Sequence, residues 1–151
     1  MHHIATKVRF LEDVLVECTF NDGKIYQYDM SQMFKKYPQL EELRRNRVLF
    51  ESGQCWGVCI YWNDDLDFDC TDIYEDGVFV GEVEVPLAKK FGVLLEGLRE
   101  DASMTQKELA KLSGINQADI SRILDGKGNP TLKKIEMLLN ALGKKIEISA
   151  K

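Results

Sequence analysis

Three side chains, Gln106, Gln117 and Arg122, carry paired hydrogen-bonding groups and have no evident structural duty of their own. Gln and Arg can each make bidentate contacts to purine edges, which is the chemistry of base reading in a major groove. At about 100° per residue, Gln117, Ala118, Ser121 and Arg122 share one arc of a helix, while Ile120, Ile123 and Leu124 point the other way. One side of that helix packs, and the other presents small and hydrogen-bonding groups.

The flanking residues are of the kind needed to hold such a helix. Thr105 and Glu108 form a capping box with Met104 and Leu109 as its hydrophobic staple. Asn116 with Asp119, stapled by Ile115 and Ile120, repeats the device eleven residues on. Gly114 between them supplies a left-handed turn. Asp119 is placed to meet Arg122 at i+3. Leu87, Phe91, Leu94, Leu95 and Leu98 predict a preceding helix, and Gly92 and Gly97 suit a close helix approach. Thr131 caps a following helix whose Leu132, Ile135, Leu138, Leu139 and Leu142 close the core. The intervening loop, Asp125 to Pro130, offers Lys127 and free backbone amides to phosphate. Residues 144–151 alternate as a final strand would.

Thr105-Gln106, Leu109-Ala110, Gly114, Ile120-Ser121 and the run from Gly126 through Pro130 resemble the Cro/repressor (Xre-type) helix-turn-helix family across roughly Leu87 to Gly143. The resemblance implies that Gln106 steadies a phosphate or reaches a neighbouring base contact. It places Gln117, Ala118, Ser121 and Arg122 toward the bases and Asn116, Lys127 and Thr131 near phosphates. It also implies a lambda-repressor-like all-α domain that binds double-stranded DNA as a homodimer.

The overall charge of −5 hides two opposite halves. Residues 1–85 hold 8 Lys and Arg against 17 Asp and Glu, a net −9, whereas residues 86–151 hold 12 against 8, a net +4. The basic half is the one with the helix-turn-helix pattern, and its modest charge predicts salt-sensitive binding of limited strength. The expected organisation is α+β: an acidic α+β sheet domain over 1–80, then the helical domain with its short terminal strand over 81–151. No apolar run suits a bilayer span and no signal peptide opens the chain, so a cytoplasmic location, on the nucleoid when DNA is bound, is expected. Cys18, Cys55, Cys59 and Cys70 form no C-x-x-C pair and have no His beyond residue 3. If Cys55 to Cys59 is one strand, its thiols stand about 13 Å apart. Reduced, mostly buried cysteines are the expectation, with no metal or cofactor.

In the acidic half, residues 7–29 read as strands with an Asn21-Asp22-Gly23 hairpin turn. Residues 30–36 and 39–47 read as short helical turns around Pro38. Val48 to Phe50 and Cys55 to Trp62 read as a second strand pair, the latter central in its sheet. Asp65, Asp67 and Asp69 alternate with Leu66 and Phe68. This departs from a calcium loop, since Cys70 and Asp76 stand where Gly and Glu are required, and it suits an edge strand or an acidic surface that meets a basic protein. Residues 77–85 read as one more strand. The stretch from Val8 to Tyr74, with its Phe-Asn-Asp-Gly turn and Trp62 followed by Asp64-Asp65-Leu66, is similar to the bacterial domain of unknown function 2442, which implies a small α+β fold.

Together these readings predict a sequence-specific regulator, a repressor acting by promoter occlusion. Analogy of both families adds autoregulation and an antitoxin-like protein partner at the acidic domain. The alternative is an interaction module that works through the acidic domain without specific DNA binding. An enzyme is disfavoured: the sequence has no phosphate loop and no nucleophile with an evident base.

Overall fold

The Asn21-Asp22-Gly23 turn sets the first architecture, because Gly23 adopts a φ of 92° and Asp22 accepts the Lys24 amide at 3.0 Å. It joins β2 (Leu15–Phe20) to β3 (Lys24–Asp29) in antiparallel register, Val16 opposite Tyr28 and Cys18 opposite Tyr26. The computed structural model describes residues 3–151. Two compact units part between Glu84 and Val85, each with its own core, and the fold is mixed α+β.

In the first unit β1 (Ala5–Phe10) pairs with β2, and β7 (Val78–Glu82) pairs with β3, giving a four-stranded antiparallel sheet in the order β1-β2-β3-β7. The boundary expected at residue 80 therefore falls inside a strand of the acidic sheet. Alternation along β2 buries Val16, Cys18 and Phe20. They join Phe50, Ile60, Leu66 and Ile73 in one cluster, each large side chain worth about 1.5–3 kcal/mol when fully buried. Short 3-10 turns cover Met30–Met33 and Pro38–Leu40, followed by α1 (Glu41–Arg45).

Two local expectations fail here. Val48 to Phe50 is not a strand but lies in α2 (Arg47–Glu51). Asn46 caps it by accepting the Leu49 amide, Arg47 pairs with Glu51 at 2.7 Å, and the turn buries Phe50 while Val48 stays 81% exposed. Nor is Cys55 to Trp62 one strand. Gly57, at φ 85°, folds it into a hairpin of β4 (Gln54–Cys55) and β5 (Cys59–Asn63), so the single-strand spacing assumed for the two thiols does not hold. β5 is central in a three-stranded sheet completed by β6 (Leu66–Asp69), whose Leu66 and Phe68 are buried and Asp67 and Asp69 exposed. Asp69 then caps α3 (Cys70–Asp76) by accepting the Thr71 amide at 2.7 Å.

The second unit is helical: α4 (Leu87–Asp101), α5 (Gln106–Ser113), α6 (Gln117–Leu124) and α7 (Leu132–Ala141). Leu95, Leu109, Ile115, Ile120, Ile123 and Leu138 form its core. The apolar stripes are narrower than expected, for Leu87 and Leu132 are largely exposed and Leu94 partly so. Residues 144–151 form no strand, and Ile148 is 80% exposed. The helices of this unit offer that segment no edge to pair with. Among the described residues, no helix is long and apolar enough to cross a membrane.

Candidate nucleic-acid interface

Both expected caps form. Thr105 Oγ1 accepts the Glu108 amide at 3.1 Å, and Glu108 Oε2 accepts the Thr105 amide at 2.7 Å. That amide first, and then the Thr105 hydroxyl, hold the Glu108 carboxyl below its ordinary range. The approach to α5 is secured by Arg99, which forks onto Glu96 and donates to the Met104 carbonyl at 2.6 Å. Gly114 ends α5 at φ 76°, and its amide donates to the Ala110 carbonyl. Asn116 Oδ1 accepts the Asp119 amide at 2.8 Å to start α6. The chain thus turns from α5 into α6 through local hydrogen bonds that leave the outer face of α6 uncommitted.

A close helix contact fixes the other end of α6. Gly92 of α4 lies so near it that an added Cβ would stand 2.5 Å from the Ile123 carbonyl oxygen and 2.7 Å from that of Leu124. The absence of a side chain at Gly92 therefore sets how deeply α4 and α6 nest, and with it the position of Arg122.

The predicted site residues divide into two groups. Gln117, Ala118 and Arg122 are exposed on α6, with Ser121 half-buried beside them. Among the described residues, neither Gln117 nor Arg122 has a side-chain hydrogen bond or ion pair. Gln106, at the first position of α5, is half-buried and likewise unpaired. Asn116 and Thr131, by contrast, are occupied as caps, Thr131 Oγ1 accepting the Lys134 amide at 3.2 Å. Lys127 is exposed, with only a loose 3.9 Å approach to Asp125.

The loop departs from expectation. Most of its amides are not free: Gly126 donates to the Ile123 carbonyl, and Lys127 and Gly128 donate to that of Arg122. They close the C-terminal end of α6 with Gly126 at φ 70°, a use that the unsatisfied last carbonyls of any helix invite. Lys127 retains only its side chain for phosphate.

Asp119 also departs from expectation. It does not pair with Arg122. Its Oδ2 accepts from Lys134 Nζ of α7 at 3.1 Å and from Asn116 Nδ2 at 3.2 Å. The carboxylate that would oppose a phosphate backbone is thus matched by a lysine, and Arg122 is released. Sequence reasoning missed Lys134 and Asn129, which with Arg122, Gly128 and Pro130 line a hollow beside α6. Only the Thr131 cap, which puts Lys134 in the first turn of α7, hinted at it.

The family model described as Helix-turn-helix matches residues 95–148. An uncharacterized HTH-type transcriptional regulator of Haemophilus influenzae is 33% identical over 87 residues, covering 58% of this chain and 82% of that protein. Among solved structures, the restriction-modification controller protein C.AhdI from Aeromonas hydrophila is 33% identical over 36% of this chain and 83% of its own, with a TM-score of 0.36. A putative DNA-binding protein from Nitrosomonas europaea is 14% identical, covers 91% of this chain and 84% of its own, and has a TM-score of 0.40. With the capped turn, the open face of α6, the matching family model and a relative covered over four fifths of its length, the chain belongs to the Xre-type helix-turn-helix family of DNA-binding transcriptional regulators.

Proposed function

We propose that this regulator reads a specific operator through α6 and represses by occluding a promoter, its own included. The observation that carries the reading is the contrast on the helix-turn-helix. Asn116, Asp119 and Thr131 are consumed by caps and an ion pair, while Gln117 and Arg122 stay exposed and unpaired on one face. Polar side chains without a partner in the fold are available to base edges, where a bidentate Arg–guanine or Gln–adenine pair is worth about 1–3 kcal/mol of discrimination. Gln106 and Lys127 flank that face as backbone contacts, and Ala118 and Ser121 let it approach closely. A homodimer places two copies of α6 in successive major grooves about 34 Å apart. The first unit follows the domain of unknown function 2442 pattern. Its net −9 keeps it off the phosphate backbone and supports an antitoxin-like role toward a basic protein partner.

Fluorescence anisotropy of the full chain against fragments of its own upstream region, at two salt concentrations, tests the reading. One fragment should bind in preference to random DNA, and the Gln117→Ala/Arg122→Ala variant should lose that preference. Binding indifferent to sequence at both salts, or a double variant that keeps the preference, refutes it.

A further inference from the structure

The outer face of β4, β5 and β6 carries groups that the core of the first unit does not use. Alternation turns Ile60, Trp62, Leu66 and Phe68 inward. It leaves Gln54, Tyr61 and Asp67 outward, Tyr61 standing opposite both Gln54 and Asp67. Just past β4, Trp56 lies flat on Tyr61, with ring centroids 4.0 Å apart and planes 13° apart. The two tryptophans contrast sharply. Trp62 is 8% exposed and donates to the Phe50 carbonyl at 2.8 Å, whereas Trp56 is 57% exposed. The polar edges of the exposed pair are already tied, the Trp56 N–H to Gln54 at 3.2 Å and the Tyr61 hydroxyl to Asp64 at 2.8 Å. What remains for a partner is the outer face of an indole.

An aromatic face attracts a cation through its quadrupole, and the surroundings favour the same charge. Asp67 is exposed next to Tyr61 on the neighbouring strand, about 5 Å away in strand spacing. Beyond it a hollow is lined by Asp67, Asp69 and Asp72 together with Tyr37. Burial first, and then the charge of Asp69, hold the Asp72 carboxyl above its ordinary range, with Lys36 opposing them. At the rim Lys36 already lies over the Tyr37 ring at 5.0 Å, an example within the chain of the contact inferred.

We propose that this sheet face docks an extended basic segment of a partner protein, one arginine or lysine resting on the Trp56–Tyr61 stack and the next beside Asp67. Nucleic acid is disfavoured by the carboxylates, and a second acidic unit by like charge. The proposal rests on the protein-binding reading of the first unit and is independent of DNA reading by α6.

The test is a titration of the full chain with a fluorescein-labelled peptide of alternating arginine and glycine, read by peptide anisotropy and by tryptophan emission. Binding should shift the Trp56 emission. Trp56→Ser should abolish the shift and weaken binding about two- to fivefold, the scale of an exposed cation–π contact. Adding Asp67→Asn should bring the loss to about tenfold. Both residues are exposed, and the remaining Trp62 emission reports that the fold is intact. Binding that both substitutions leave unchanged overturns the docking face while sparing the protein-binding reading of the unit. No binding of the cationic peptide even at low salt overturns both.

Discussion

Replacing Gly92 by Ala sets two effects of opposite sign against each other. Helix propensity alone favours Ala over Gly inside a helix by about 1 kcal/mol. The new Cβ, however, would meet the Ile123 and Leu124 carbonyl oxygens at 2.5 and 2.7 Å, well inside contact distance. These are backbone atoms, and the Ile123 carbonyl is held in turn by the Gly126 amide at 3.0 Å. No side chain can swing away, so α4 and α6 must separate. Overpacking of this kind typically costs about 1–3 kcal/mol. Contacts this short with backbone atoms put the cost in the upper part of that range, about 2–3 kcal/mol, which leaves a net loss of about 1–2 kcal/mol, or a fall of about 1–2 M in the urea midpoint for a unit whose slope is about 1 kcal/mol per M. Both tryptophans lie in the first unit, so ellipticity at 222 nm is the probe that reports the helical one. Because α6 shifts with α4, operator affinity should fall in the same variant. An unchanged or raised midpoint would refute the reasoning that the α4–α6 approach requires a missing side chain.

Other expectations follow from the electrostatics. Asp119→Asn removes a negative charge from α6 and releases Lys134 from its 3.1 Å pair. DNA binding measured by anisotropy at low salt should tighten about threefold, with a stability loss below about 1 kcal/mol; weaker binding would show that the Lys134 pair positions α6. In the first unit, the Tyr74 hydroxyl donates to Asp22 at 2.6 Å and accepts from Lys24 at 3.1 Å. Burial, then the bond to Asp22, raise its pKa from 10.0 to about 12. The folded state thus favours the neutral phenol. That stabilisation is fully present below pH 10 and is lost as pH rises toward 12. Absorbance at 295 nm should show this late phase, and Tyr74→Phe should remove it at a cost of about 1 kcal/mol near neutral pH.

The helix-turn-helix was legible because its determinants are local. A Thr or Asn three residues before a matching carboxylate, and a Gly in a left-handed turn, act over four or five residues, and the structure forms both caps and the turn between them. The Asn21-Asp22-Gly23 hairpin was legible for the same reason. Apolar runs were not, since Val48 to Phe50 has strand composition and becomes helical only because Asn46 caps it, Arg47 and Glu51 pair across one turn, and Phe50 finds the core. Residues 144–151 alternate as a strand does, but a strand exists only with a partner edge. Tertiary packing alone decided that Asp119 answers Lys134, fifteen residues on in another helix, and that the loop after α6 spends its amides on that helix's end. It likewise decided that Trp56 lies open on Tyr61 while Trp62 is buried. Sequence by itself determined the helix that carries the reading side chains, because capping and periodicity are short-range. Which of those side chains stay free was left to the tertiary structure, because a charge pairs with whatever the fold brings within reach.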